Sequence, residues 1–348
     1  MAYGTLSTLD TLSASQQTIA QYGEDNAFVA IDAARQAHNL IVNDMLTGLV
    51  ERTQERLRRY GGADAMTMDE IDQFGTPDAQ KITAGSPVYF PLKLYGLSVQ
   101  WTRKFMQVAT TAELAAQFIA AQDADINAII REIKRAIFYP TNYTFNDKLV
   151  DNVALSVKAL VNADGAPLPL DPNGNVFNGA THTHYLATAA LVAADLTALI
   201  FTVVEHFARG EAVVYINQAQ EAAVRALAGF VPYVDARIVQ ATTANAAGVP
   251  LDVINVYNRA IGIFGGAEIV VKPWIPAGYL FSYVKGQPVP LAMRTRGTGG
   301  DLEIAAEDEV HPLRARVLER EFGIAAWNRI NGACLFTGGA SYTTPVLN

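Results

Sequence analysis

The clearest hydrophobic pattern in this chain is a helical stripe over residues 111–139. Thr110 and Glu113 have the spacing of a capping box, which satisfies free backbone N–H groups where a helix begins, and Pro140 cannot continue a helix. The pattern predicts a spine helix of about 29 residues and about 43 Å. Its apolar positions are Leu114, Phe118, Ile119, Ile126, Ile129, Ile130, Ile133 and Ile137.

A second helical stripe begins near Glu24, after a small and polar arm over residues 1–23, and the pattern predicts that it continues to Gly61. Arginines gather near its end, where cations suit the helix dipole, so they fit either a solvated helix end or a contact with nucleic acid. The apolar positions are Phe28, Ile31, Leu40, Ile41, Met45, Leu49 and Leu57, and the arginines are Arg52, Arg56, Arg58 and Arg59.

Residues 86–101 alternate as a strand does, in the run "SPVYFPLKLYGLSVQW". Pro91 and Gly96 interrupt the alternation, and proline within a strand belongs at a sheet edge. Polar, turn-rich sequence precedes this run, so it predicts an extended β-hairpin that something else must cover. One face would carry Val88, Phe90, Leu92 and Leu94, and the other Tyr89, Lys93 and Tyr95.

The second half of the chain alternates helical and strand patterns, which predicts an α/β unit. A helix resumes near Ala194 and is closed by Gly210, a buried strand "AVVYI" follows, and Asn217 is placed to cap the next helix. Further strands are predicted in "DVINVYN", "IGIF", "EIVVKPW" and "YLFSYV", and the tail 310–336 is strand-prone.

Composition allows a large core and disfavours several functions. Half of the 348 residues are hydrophobic and 17% are charged, and the net charge is −8, which argues against a dedicated nucleic-acid binder but not against a container for nucleic acid. Cys334 is the only cysteine, so no disulfide framework is predicted. No stretch has the length and apolar character of a membrane span.

Candidate chemistry is sparse. His182 and His184 in "THTH" would point the same way on a strand, as half of a metal site, but no third ligand lies nearby in sequence. Structural or interface histidines are therefore favoured. The run "DPNGNVFNG" fails as a calcium loop because Val176 occupies the glycine position. No phosphate-binding or hydrolase motif occurs, so the sequence predicts no catalytic residue, cofactor or metal.

A run of opposite charges over residues 292–310 permits two interpretations. It could form two solvated turns, or it could form a self-complementary contact between copies of the chain, because exposed ion pairs become useful mainly in repeated assemblies. The residues of the second interpretation are Arg294 and Arg296 on one copy and Glu303, Glu307, Asp308 and Glu309 on another.

The order of these features resembles the HK97-like major capsid proteins of tailed double-stranded DNA phages. The similarity lies in the helix–strand–capped helix series of 194–227, the strand–turn–strand of 266–284 and the closing strands of 310–336 with "EREFGIAAWN". The resemblance implies an α+β fold with an arm and helix (1–62), an extended loop (63–106), a peripheral domain with the spine helix (107–193), an α/β axial domain (194–300) and closing strands (301–348).

In that family the extended loop covers a neighbouring subunit, so the resemblance implies that Phe90, Leu92, Leu94 and Trp101 lie between chains. It implies a homo-oligomeric shell of hexamers and pentamers in the virion, assembled in the host cytoplasm. The implied partners are a portal protein, a separate scaffolding protein, a possible decoration protein and DNA bound without sequence specificity, and no membrane. Isopeptide crosslinking is not expected, because residues 309–319 contain no asparagine. An encapsulin shell and a metal-dependent α/β enzyme are the alternatives.

Overall fold

The computed structural model describes residues 9, 12–15, 17–61, 66, 68, 70–81, 85–233, 258–297 and 300–347. The strand predicted from "DVINVYN" lies outside these residues except for Asn258. The α-helices are Ile19–Tyr22, Glu24–Leu46 (the N-terminal helix), Arg103–Val108, Thr111–Phe138 (the spine helix), Ala193–Val204 and Glu221–Arg225, and Gln218–Gln220 is a 3-10 turn.

The strands form two large sheets and two hairpin-sized ones. In chain order they are β1 Val50–Thr53, β2 Leu57–Tyr60, β3 Ser86–Tyr89, β4 Lys93–Thr102, β5 Tyr143–Asn146, β6 Ala154–Val157, β7 Tyr185–Ala187, β8 Glu211–Ile216, β9 Phe230–Pro232, β10 Arg259–Phe264, β11 Ala267–Val271, β12 Tyr279–Lys285, β13 Leu291–Thr295, β14 Glu303–Val310, β15 Leu313–Ala326 and β16 Ala333–Phe336.

The spine helix has the predicted limits within one residue. The Thr110 hydroxyl accepts from the N–H of Glu113, and the Glu113 carboxylate accepts from the N–H of Thr110, so the capping box is confirmed. The helix contributes to two cores, with Leu114 and Phe118 packed in one and Ile133 and its neighbours in another. It therefore connects the parts of the molecule, as its length predicts.

The predicted continuation of the N-terminal helix to Gly61 is wrong. The helix ends at Leu46, and Gly48 then takes a φ of 87°, a left-handed conformation that glycine adopts without steric cost. The chain after it forms β1, which pairs in parallel with β13, and β2, which pairs with β3. Long-range pairing with partners more than 25 residues away overrides the helical spacing of the local apolar residues.

The arginines of this segment are engaged within the chain instead of capping a helix. Arg56 bonds both carboxylate oxygens of Asp151 at 2.7 Å, and Arg58 bonds Glu51 at 3.0 Å and also pairs with Glu55. Arg52 pairs with Asp301, and Arg59 donates to the carbonyl of Gly85. All four arginines therefore have partners within the subunit, which weakens the assignment of this cluster to nucleic acid.

The seven-stranded sheet has the order β7-β16-β12-β8-β11-β10-β9 and is covered on both faces. Along β12, Tyr279, Phe281 and Tyr283 pack with the end of the spine helix, while Leu280 and Val284 pack with helix Ala193–Val204. Six of the seven β12 residues are buried, as a central strand with two covered faces requires. The Asn217 side chain caps the following helical turn as predicted.

The five-stranded sheet is built around β15, which pairs with β4 along one side. On its other side the inner half of β15 pairs with β13 and the outer half with β14. The outer part, consisting of β4, β14 and residues 313–319 of β15, is here called the charged ribbon. One face of the charged ribbon packs on the N-terminal helix and the start of the spine helix, through residues that include Val99 and Leu318.

The alternation over residues 86–101 is present, but it changes phase at Pro91. Before the proline, Val88 and Phe90 are buried, and Leu92 is buried directly after it. Along β4 the odd-numbered positions are then the less exposed, up to buried Val99 and Trp101, whereas Leu94 is exposed. The two strands belong to different sheets, so a single face cannot carry both sets. None of the described helices is long and apolar enough to cross a membrane.

Candidate contact surfaces and histidine cluster

The apolar residues of the run 86–101 are buried mainly by other parts of their own chain. Phe90, Leu92 and Trp101 are all buried within the subunit, Phe90 in a core with Tyr60. Trp101 lies 5.7 Å from the ring of Phe28, on the N-terminal helix. The prediction that these three residues lie between chains is therefore corrected, because the N-terminal helix and neighbouring strands already fill the space that the sequence left open.

Leu94 differs from these three residues, because the change of phase at Pro91 turns it outward. Its side chain is 51% exposed. Since β4 is an outer strand of its sheet beside the paired β15, Leu94 stands on a surface that a second chain could reach. Its contact role remains a prediction.

The predicted charged contact is partly used inside the subunit. Arg294 is buried and donates to Asp147 at 2.9 Å and to the carbonyl of Phe90 at 3.0 Å, which corrects its assignment to an intersubunit contact. Arg296 is exposed and donates to Glu321 at 3.0 Å. The stretch forms strands β13 and β14 and is not a pair of turns, so neither interpretation of the sequence is fully right.

The acidic residues Glu303, Glu307 and Asp308 are exposed along β14. Glu307 pairs with Arg316 at 2.7 Å across the charged ribbon. Beside this pair a cleft of about 640 Å³ separates the ribbon from the N-terminal helix, whose Asp32 and Glu24 also line it. The three acids remain candidates for contact with a neighbouring copy.

Four large exposed apolar residues lie close together in sequence, in a segment that sequence reasoning treated only as turn-rich. Every described residue from 66 to 81, here called the loop segment, is exposed. Phe74 is 86% exposed, and Met66, Met68 and Ile71 are exposed with it. The signal was available in the sequence, since large apolar residues recur within a polar, turn-rich stretch. Exposed apolar residues that gather in one segment, and are not scattered singly, favour a contact surface.

A buried ion network fixes the charged ribbon to the helices. Arg320 of β15 donates to both oxygens of Asp125 on the spine helix at 2.7 and 2.8 Å, and His38 of the N-terminal helix lies 2.8 Å from the same carboxylate. Arg320 also donates to Asn39 and to the carbonyl of Gly300. All of the charged groups are satisfied, so the network defines one relative position of helix, helix and strand.

The side chains of three histidines lie close together, with their Nε2 atoms directed toward one another. The Nε2 atoms of His182 and His184 are 3.1 Å apart, and the Nε2 of His206 lies 3.1 Å from the first and 3.0 Å from the second. His182 and His184 flank an isolated β-bridge at Thr183, so they point the same way as predicted. His206 follows helix Ala193–Val204. It is the third member of the cluster, and its position could not be predicted from the sequence.

The surroundings hold the cluster in position. The backbone of His184 donates to Val161 at 2.8 Å and accepts from Cys334 at 2.8 Å, and its Nδ1 lies 2.7 Å from the carbonyl of Gly332. The ring of Phe177 packs 4.8 Å from His182 and 4.3 Å from His206. The failed calcium loop therefore has a packing role, since it carries Phe177.

Burial keeps the cluster uncharged. It lowers the pKa of His206 to about 3, with the charge of His182 acting in the same direction. Burial, with the nearby His206, also lowers the pKa of His184 well below its usual range, and burial alone lowers the pKa of His182. The neighbouring Glu205 has its Oε1 3.5 Å from His182 Nε2. Three neutral imidazoles are the form that binds metals.

Comparison with known proteins gives structural likenesses only. No family model matches the chain. No curated protein matches it either. A solved structure from Mycobacterium phage Patience superposes with a TM-score of 0.65 at 21% identity, covering 94% of this chain and 90% of that one.

Weaker likenesses, which carry no argument, include the capsid of a native GTA particle, at a TM-score of 0.48 and 14% identity, covering 85% of this chain and 89% of that one. The holo-SrpI encapsulin complex from Synechococcus elongatus scores 0.43 at 10% identity, covering 88% and 90%. The predicted α+β, HK97-like fold is confirmed across nearly the whole chain.

Proposed function

We propose that this chain is a major capsid protein, the repeating subunit of the icosahedral head of a tailed double-stranded DNA phage. The observation that carries the proposal is the HK97-like fold shared with a protein of Mycobacterium phage Patience over 94% of this chain. The role is structural, without a catalytic step, and its place is the virion after assembly in the host cytoplasm.

The surface of the single chain supports this function. A subunit that worked alone would not keep Phe74 and its apolar neighbours of the loop segment in water, since burying one such side chain gains about 1.5–3 kcal/mol. In a shell, the loop segment would lie on an adjacent copy, where that gain is multiplied over many identical contacts. Leu94 and the acids of β14 are further candidates for these contacts.

The proposed partners follow from the same function. Copies of the chain would form hexamers and pentamers, with a portal protein, a separate scaffolding protein and, in some particles, a decoration protein. The net charge of −8 suits a container that encloses DNA without holding it, because a strongly basic lining would bind the phosphates and oppose release.

The test is assembly of the purified chain, alone and with a co-expressed scaffolding protein, followed by negative-stain microscopy and sedimentation. Closed particles, tubes or capsomers are expected. A protein that stays a single compact chain at high concentration under both conditions would overturn the proposal. Particles that contain an enzyme and no DNA when purified from the native host would instead identify an encapsulin-type compartment.

A matched pair of variants tests the loop segment. Phe74→Ser is expected to reduce the fraction of protein in assemblies at least tenfold, because it removes the apolar contact while leaving the subunit core untouched. Val346→Ser is the control, since Val346 is equally exposed at 87% but lies far along the chain from the loop segment. Equal assembly of both variants would exclude the loop segment from the contact.

A further inference from the structure

We propose that His182, His184 and His206, with Glu205, bind a divalent transition-metal ion, zinc being the best match to the ligand set. The site goes beyond the structural role of the shell, and it does not depend on that role being right.

The first reason is geometric. Three Nε2 atoms lie at the corners of a triangle with sides of 3.0, 3.1 and 3.1 Å. A point about 1 Å above that triangle is about 2.0–2.1 Å from all three nitrogens, which is the length of a zinc–imidazole bond. The described residues thus already offer three ligand atoms at bonding distance from one position.

The second reason is that hydrogen bonding cannot satisfy the three nitrogens. The carbonyl of Gly332 only accepts, so Nδ1 of His184 carries the hydrogen and its Nε2 is a bare lone pair. Whichever tautomers His182 and His206 adopt, at least one of the three contacts then joins two lone pairs or two hydrogens. A bound cation would accept a lone pair from each of the three Nε2 atoms, and so it would remove the unfavourable contact between them.

The third reason is the fourth ligand and the supporting contacts. Oε1 of Glu205 is 3.5 Å from Nε2 of His182 and 4.0 Å from Nε2 of His206, so the carboxylate lies beside the triangle, and we expect a side-chain rotation to bring it to the ion. The Gly332 carbonyl orients His184 as carbonyls and carboxylates orient metal-binding histidines elsewhere. With Glu205 bound, three histidines and a carboxylate would make a closed four-ligand set, as structural zinc sites have.

The ion would join two parts of the subunit. His182 and His184 lie on the segment that leads into β7, whereas Glu205 and His206 follow helix Ala193–Val204 on the seven-stranded sheet. His184 and His206 are buried, while the side chains of His182 and Glu205 are 19% and 23% exposed, which leaves a route for the ion from solvent. Metal binding would therefore fasten the segment before β7 to the end of helix Ala193–Val204.

The experiment measures metal in the purified full-length protein by mass spectrometry, then strips it with a chelator and titrates Zn²⁺ back. About one zinc per chain and a rise in Tm on reloading are expected for the wild-type protein and for His311→Ala, an exposed histidine outside the cluster. His206→Gln is expected to bind Zn²⁺ at least tenfold more weakly and to lose the Tm rise.

His206 is buried, so a second variant guards against misfolding. His182→Gln changes a partly exposed ligand, and it should retain the wild-type circular dichroism spectrum while binding Zn²⁺ at least tenfold more weakly. Reloading with Co²⁺ should give the strong visible bands of four-coordinate cobalt in the wild type and not in His182→Gln. Absence of stoichiometric binding by the wild type, or equal binding by His182→Gln, would overturn the proposal.

Discussion

The strands β12 and β14 differ in how much of their surface is buried within the subunit. Six of the seven residues of β12 are buried under helices on both faces, whereas seven of the eight residues of β14 are exposed and the remaining one is half-buried. The sequence of β12, "YLFSYVK", is apolar or aromatic except for Ser282 and Lys285, and that of β14, "EIAAEDEV", is acidic.

This difference shows which part of the subunit buries its apolar side chains without a second chain. The seven-stranded sheet buries its apolar side chains within one subunit, so its stability belongs to that subunit. The charged ribbon is held to the rest by a buried ion network at Arg320, and beyond that point β14 pairs with β15 alone among the described residues. An outer strand with unpaired edge groups and charged side chains resists unplanned pairing while staying available for a specific contact.

The largest effect is expected from Phe281→Ala in β12. Phe281 is fully buried between the spine helix and Tyr283, so the variant leaves a cavity and should lower the free energy of unfolding of the unassembled subunit by about 3–5 kcal/mol. Urea denaturation followed by tryptophan fluorescence measures it. Val310→Ala, at a 74% exposed position of β14, is the control and should change little. A loss below about 1 kcal/mol for Phe281→Ala would contradict the comparison.

An intermediate effect is expected from Asp125→Asn, where the charged ribbon meets the helices. The amide keeps one acceptor but removes the charge that faces buried Arg320, so the free energy of unfolding should fall by about 3 kcal/mol. The same denaturation experiment measures it, and Asp123→Asn, two residues away on the spine helix and exposed, is the matched control. Equal midpoints for the two variants would show that the network does not stabilise the junction.

The smallest effect is expected from Glu307→Ala in β14. Its pair with Arg316 is exposed on the glutamate side, so the unassembled subunit should lose less than about 1 kcal/mol. Under the proposed function the same variant should weaken assembly, measured as the protein concentration at which particles form. A larger loss in the free energy of unfolding would show that β14 contributes to the core of the subunit, as β12 does.

Much of the fold follows from local sequence. The spine helix was predicted within one residue because its cap, its apolar period and its terminating proline all lie within the helix or next to it. Strands β8, β10, β11 and β12 were predicted from short apolar runs between turn residues. The domain boundaries stay predictions.

The candidate sites divide in the same way. That His182 and His184 point in one direction follows from their spacing of two, but His206 joins them only because a helix 12 residues long returns the chain to the same place. Phe90, Leu92 and Trp101 were assigned to a subunit contact through the family resemblance, in which the extended loop covers a neighbouring subunit. The N-terminal helix, which covers Trp101, precedes it by more than 50 positions.

The sequence alone therefore determined the spine helix with its cap and strands such as β8 and β12, because the spacing of their apolar, capping and turn residues is a local property. Only the tertiary structure decided which apolar residues are already covered, which charges pair in the interior and which histidines meet. Those contacts join positions such as His38, Asp125 and Arg320, whose proximity depends on how the whole chain packs and not on any local pattern.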